Sequence, residues 1–198
     1  MKKLIVLACL ATTVSMTAGT AMADSIKGRL GVTGKVGLIS PADNSAENYD
    51  NRTDTGIIAG GGLIYGLDDH IALELDLTGA TFGSDTGDFD VVNVSLGGQY
   101  RFALQQRQLV PYVGAGLDII ATDYEADNGA GSDVDTTLGV HIKGGFDLFL
   151  QRNLALTVEA KLVVAPEADI TDSWSGAHAG NFDPSNLSTT VGIRYFFN

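Results

Sequence analysis

The sequence predicts an all-β protein: an eight-stranded antiparallel up-and-down transmembrane β-barrel with short periplasmic turns and long extracellular loops. Three observations carry that expectation. Eight segments alternate apolar and polar side chains with period two, as a strand with two unlike faces does. Their connections alternate between short turns and long polar loops, the asymmetry of a barrel that crosses an outer membrane. The last segment, Thr190 to Asn198, is an amphipathic strand rich in aromatic residues.

The first segment is Arg29 to Ile39, with Leu30, Val32, Val36 and Leu38 on one face and Arg29, Thr33 and Lys35 on the other. In the second, Thr55 to Tyr65, Ile57, Ile58, Leu63 and Ile64 fall on both faces, so its orientation stays open. The third, His70 to Phe82, alternates Ile71, Leu73, Leu75 and Leu77 with Ala72, Glu74, Asp76 and Thr78. The fourth, Asp90 to Phe102, sets Val92, Val94, Leu96, Tyr100 and Phe102 against Asn93, Ser95, Gln99 and Arg101. Leu109 to Ile120 sets Val113, Leu117 and Ile119 against Tyr112, Gly114, Gly116 and Asp118. Thr137 to Leu148 sets Leu138, Val140, Ile142 and Phe146 against His141, Lys143 and Asp147. Leu154 to Val163 sets Leu154, Leu156, Val158 and Leu162 against Thr157, Glu159 and Lys161. In the eighth, Val191, Ile193, Tyr195 and Phe197 oppose Thr190, Gly192, Arg194 and Phe196.

Hydrocarbon offers no hydrogen bonds, so each backbone N–H and C=O needs an internal partner and the last strand must close onto the first. Glycines on the inner faces, among them Gly62, Gly97, Gly116 and Gly145, leave room for long neighbours in a narrow barrel. Tyr65, Tyr100, Phe102, Phe146, Tyr195 and Phe197 fall outward near the short-turn ends, as an interfacial aromatic girdle does.

Residues 1–23 read as a cleaved signal peptide: Met1-Lys2-Lys3, an apolar core from Leu4, and Ala21-Met22-Ala23 before Asp24. Export to the bacterial outer membrane follows, with residues 24–198 as a single barrel domain. Cys9, the lone cysteine, lies within the signal, so the exported part has no disulfide. Removing Lys2 and Lys3 takes the formal net charge from −12 to −14. So acidic a chain is a poor partner for nucleic acid.

Val110-Pro111-Tyr112-Val113-Gly114-Ala115-Gly116-Leu117 resembles the PYxGxG segment of the OmpW family of small outer-membrane barrels. Leu138 to Lys161 and the ending Gly192 to Phe197 are similar to that family too, although Asn198 departs from the usual terminal aromatic. The wider OmpA- and OmpX-like superfamily of eight-stranded barrels shares much of this pattern. The ending, through Gly192, Tyr195 and Phe197, also resembles the signal that barrel-assembly machinery reads. The resemblance implies passage of small hydrophobic solutes through an apolar interior that opens sideways into the membrane.

The charges on the inner faces complicate that implication. Arg29, Lys35, Arg101, Lys143, Lys161 and Arg194 face Glu74, Asp76, Asp118, Asp147 and Glu159, with His141 within reach of Asp118 or Asp147. Two readings stand: a polar plug that fixes register, or a conducting pathway. Across the turn near residue 151, Lys143 and Glu159 are expected at matching registers and in direct contact. An apolar route would lie above the charges, near Ile39, Ile58, Ile120 and Val163.

The long loops carry acids from Asp43 to Asp183 against the single base Arg52. They are expected to be a solvated surface or to bind divalent cations that bridge to lipopolysaccharide. Asp123, Glu125 and Asp127 begin like an EF-hand loop, but Gly129 comes one place late. Neither a cofactor nor catalysis is expected: His70, His141 and His178 share no metal-ligand spacing, and Ser175, His178 and Asp183 lie together in one loop with no positioned nucleophile.

Overall fold

A computed structural model describes residues 25–42, 44–46, 49–51, 54–84, 87–102, 108–126, 131–172 and 178–197. The signal segment and Trp174 lie outside the described residues. So do the side chains of 43–53, 84–88, 123–135 and 168–182, which include most of the loop acids. Twelve strands are formed: β1 (Leu30–Pro41), β2 (Asn44–Ala46), β3 (Tyr49–Asn51), β4 (Gly56–Gly66), β5 (Ile71–Ser84), β6 (Gly87–Arg101), β7 (Leu109–Ala126), β8 (Gly131–Gln151), β9 (Leu154–Val164), β10 (Ala168–Asp172), β11 (His178–Phe182) and β12 (Asn186–Phe196).

Eight of them form one ring. β1 pairs with β4, and pairing continues antiparallel through β5, β6, β7, β8, β9 and β12 back to β1. The closing ladder is unbroken from Gly31↔Phe196 to Pro41↔Asn186, so no edge faces lipid. No helix occurs among the described residues.

The ring departs from expectation at its long-loop end. β7 and β8 run beyond the predicted segments, to Ala126 and from Gly131, and pair there as a protruding ribbon. The stretch after Val164 holds the hairpin β10–β11, with β10 also pairing to β8 from Ile170↔Val134 to Asp172↔Ser132. β2 and β3 form a separate hairpin in the first loop. Polar sequence with few apolar residues obscured these strands, because they lie beyond the membrane and need no greasy face.

The ambiguous segment is settled by register. Ile57 and Leu63 face outward, whereas Ile58 and Ile64 are buried in the lumen. The outer surface between the ends is predominantly apolar, from Leu30 on β1 to Ile193 on β12. All six predicted girdle aromatics are exposed there. Tyr195 and Phe197 meet edge to face at 5.3 Å, and Tyr100 and Phe102 at 5.1 Å.

The lumen is filled in three layers. At the extracellular end Ile39, Ile58, Ala80, Phe82, Phe89, Val91, Ile120 and Val163 form an apolar cluster. At the periplasmic end Ile26, Ile64, Ala72, Val110, Phe149, Ala155 and Phe196 form a second. The charged side chains occupy the middle. Ile26 reaches the periplasmic layer because the chain before β1 turns under the barrel: Arg29 N–H donates to Ile26 O at 2.9 Å and Gly28 N–H to Gly66 O at 2.7 Å. Gly28 makes this turn at φ +72°, a backbone angle that L side chains disfavour.

Candidate functional site: a charged floor beneath an apolar compartment

Inward positions recur every second residue on each strand, so eight strands bring their polar residues to one level of the lumen. Arg194 on β12 sits at the hub. Its Nη1 donates to Asp147 Oδ2 at 2.9 Å and Oδ1 at 3.2 Å, its Nη2 to Glu74 Oε1 at 2.8 Å, and its Nε to Thr33 Oγ1 at 2.9 Å. Its guanidinium lies 5.6 Å from the centre of the Tyr112 ring. Arg101 reaches the same Asp147 at 2.7 Å.

One step toward the exterior, Lys143 bonds Glu74 and lies 3.2 Å from Glu159. Lys35 bridges Asp76 at 2.9 Å and Glu159 at 3.2 Å. The Tyr112 hydroxyl donates to Glu159 Oε2 at 3.0 Å. A second cluster surrounds Asp118. His141 Nδ1 stands 2.5 Å from Oδ2, while Lys161 Nζ, Ser95 Oγ and Asn93 Nδ2 converge on Oδ1 at 2.6, 2.7 and 2.8 Å.

Five cations (Lys35, Arg101, Lys143, Lys161, Arg194) thus face five anions (Glu74, Asp76, Asp118, Asp147, Glu159), all buried. Taking any of these charges out of water costs several kcal/mol unless it is paired and hydrogen-bonded, which explains the near-equal numbers. The inner glycines make the space. A Cβ on Gly62 would stand 2.0 Å from Asp76 Oδ1, one on Gly116 2.7 Å from the His141 ring, and one on Gly145 2.8 Å from Tyr112.

Two expectations need correction. Lys143 and Glu159 do make contact, but not across a matched register: Lys143 stands opposite Lys161, and Glu159 opposite Gly145. The turn is made by Arg152 and Asn153, so the hairpin is centred beyond residue 151 and Glu159 falls two places from Lys143; the long Lys143 side chain spans that diagonal. Arg29 stands apart from the floor. It is half-buried at the periplasmic rim, where it donates to the carbonyls of Phe197 (3.2 Å), Phe196 (3.4 Å) and Arg152 (3.4 Å) and stacks over Phe196. It keeps the inward parity of Thr33 and Lys35 but precedes the first residue of β1, so it lies at the height of the periplasmic apolar layer rather than of the floor.

Tyr112, Asn93, Ser95, Thr33 and Thr157 complete the floor although none was singled out as a site residue. Period two already placed Tyr112, Asn93, Ser95, Thr33 and Thr157 inward; only the staggered register showed which charges each would meet. Gly192 faces inward beside Lys35, and Tyr195 and Phe197 face lipid. Asp123 and Glu125 lie in the paired strand β7, with their side chains, like all of Asp127, outside the described residues. Among the described residues no cluster of His, Asp and Glu is arranged to hold a metal.

Above the floor the apolar compartment keeps an interior cavity of about 20 Å³. Beside it the wall is interrupted. The β8–β9 ladder ends at Val140↔Val164, Ala165 to Glu167 take no strand, and pairing to β8 resumes only at Ile170↔Val134. Pro166 lies in this gap and has no N–H to donate.

A closed ring with an apolar exterior, a girdle of aromatics and its charges turned inward defines a membrane-spanning β-barrel. The chain belongs to the outer-membrane protein β-barrel domain family, whose model matches residues 7–195. Among solved structures it is similar to the outer membrane protein OprG from Pseudomonas aeruginosa, with TM-score 0.69 and 16% identity over 90% of this chain and 99% of that one. It is similar also to Neisserial surface protein A, with TM-score 0.64 and 17% identity over 86% and 98% of the two chains. The N-terminal β-barrel domain of Pseudomonas aeruginosa OprF follows at TM-score 0.54 and 15% identity, over 86% and 98%. At such identities the likeness is one of fold. No curated protein sequence matches the chain.

Proposed function

We propose that this outer-membrane barrel takes small hydrophobic solutes from the exterior into its apolar compartment and releases them sideways into the membrane, without a water-filled path to the periplasm. The observation that carries the reading is the stacking of an apolar compartment on a charge-balanced floor. Ions meet a sealed network in which each cation already has a partner, while an apolar molecule meets Ile39, Ile58, Ile120 and Val163. The interruption at Ala165 to Glu167 supplies an exit at the same level, since Ala165 packs against that cluster. The sequence resemblance to the OmpW family points the same way. Cleavage after Ala23, assembly through the C-terminal strand and contact with outer-membrane lipid and lipopolysaccharide belong to this proposal.

The smallness of the cavity favours a second reading, a closed barrel that presents its acidic loops to cations, lipopolysaccharide or another surface. Reconstitution separates the two. The transport reading expects no ion conductance steps in planar bilayers, together with protein-dependent uptake of an apolar fluorescent solute into liposomes. Neither conductance nor uptake leaves the closed barrel. Ohmic conductance overturns both.

A further inference from the structure

The compartment has a polar seat that simple hydrophobic passage does not require. Its cavity has an apolar side that includes Ile39, Ile58, Ile120 and Val163, a polar side that includes Thr78, Ser188 and Thr190, and a base that includes Asn93 and Lys161. Asn93 is 8% exposed, and its Nδ2 donates to Asp118 Oδ1, which fixes which way the amide points. Its Oδ1 is then an acceptor with no partner among the described residues. Lys161 Nζ converges on the same Asp118 oxygen and on Ser95 Oγ, and so uses two of the three donors that an ammonium carries. One unused acceptor and one unused donor therefore belong to two residues that share Asp118 Oδ1 at the base of the cavity.

We infer that the compartment is a binding site for small neutral molecules bearing one hydroxyl, the O–H donating to Asn93 Oδ1 and its oxygen accepting from Lys161 Nζ. This rests on the reading that the compartment admits small apolar molecules, and it names the chemical class among them. A hydroxyl is donor and acceptor at once, so a single group satisfies both partners. Hydrocarbons leave the Asn93 acceptor buried and unpaired, which a site built for hydrogen bonding penalises. Carboxylates are disfavoured for a different reason: the floor's five cations are already matched by five anions, and a sixth anion would enter a low-dielectric interior uncompensated. The cavity of about 20 Å³ accommodates the hydroxyl itself, being of the size that holds one water molecule. The apolar body of the ligand takes its place above by parting the side chains of the extracellular layer.

The test uses the full barrel in lipid nanodiscs with methyl-labelled isoleucine, titrated with phenol, toluene and benzoate, three molecules of similar shape. Ile39, Ile58 and Ile120 report the compartment, while the lipid-facing Ile57, Ile119, Ile142 and Ile193 report solute dissolved in the bilayer. Phenol is expected to shift the three inner methyls saturably, and benzoate to leave them unmoved. Asn93→Leu is expected to weaken phenol about five- to tenfold, the worth of one hydrogen bond, while changing toluene less than about twofold. Asn93→Ala must repeat the selective loss, and both variants must keep the heat-dependent gel mobility of a folded barrel. Equal weakening of phenol and toluene, or saturation by benzoate, overturns the hydroxyl assignment and leaves hydrophobic uptake standing. If all three solutes shift only the lipid-facing methyls, this assignment and the transport reading fall together.

Discussion

Arg194 spends its charge on two carboxylates, Asp147 and Glu74, and a third bond on Thr33, at 1% exposure. Its removal leaves both carboxylates buried and short of a cation. Arg194→Ala is therefore expected to cost about 3–5 kcal/mol, read from urea unfolding in lipid vesicles by circular dichroism. A cost near zero would mean that the floor does not hold the barrel together, as would unchanged heat stability of Glu159→Ala in detergent. At the periplasmic turn a single carboxylate acts differently. Asp68 accepts hydrogen bonds from the backbone N–H groups of His70 and Ile71, both at 2.7 Å, and these hold its carboxyl below the usual carboxylate range. A lowered folded value means that its contribution is complete above the unfolded value of about 3.9 and is lost as pH falls through the folded one. Amide exchange at His70 and Ile71 should accelerate in Asp68→Ala relative to the parent at pH 6, and the difference should shrink at pH values below the folded one.

Strands depend on glycine where two backbones approach. On β1 a Cβ at Gly37 would meet Thr189 O at 2.0 Å and Thr190 Cα at 2.7 Å, within the ladder that closes the ring. Gly34, three residues earlier, faces lipid with nothing within 4 Å. Gly37→Ala should therefore lower stability by about 1–3 kcal/mol, and more if the closing ladder shifts. Gly34→Ala should stay within about 0.5 kcal/mol. Comparable losses at both positions would show that ladder contact is not the cause. The long ribbon of β7 and β8 was the element least legible beforehand. Asp123, Glu125, Asp133 and Asp135 alternate with Tyr124, Ala126 and Val134, but runs so short and so acidic read equally as polar loop.

For the whole molecule, the polarity is that of a soluble protein turned inside out: the charges are inside and exposed leucine, isoleucine and valine cover the outside. Such a surface needs acyl chains or detergent around it. The folded chain should run at a different gel mobility unboiled than boiled, and should precipitate when detergent is withdrawn. Equal mobilities, or solubility in plain buffer, would remove the membrane-spanning reading and the transport proposal with it.

Alternation with period two was enough to state the class, the number of strands in the ring, the side facing lipid for all but the second segment, and the inward side on which the floor residues lie. Each depends only on which way a side chain points along its own strand, and that is written locally. Contact between strands is not. Whether Lys143 faces Glu159 or Lys161 turns on where the β8–β9 turn is centred, and whether Arg29 joins the floor turns on its height in the ring. The outer apolar layer was already expected at the loop ends of the strands, near Ile39, Ile58, Ile120 and Val163; the periplasmic one arises because the staggered ring brings Ile26, Ile64, Phe149 and Phe196, far apart in sequence, to one height. Stagger is a property of the closed ring, and no single segment of the chain contains it.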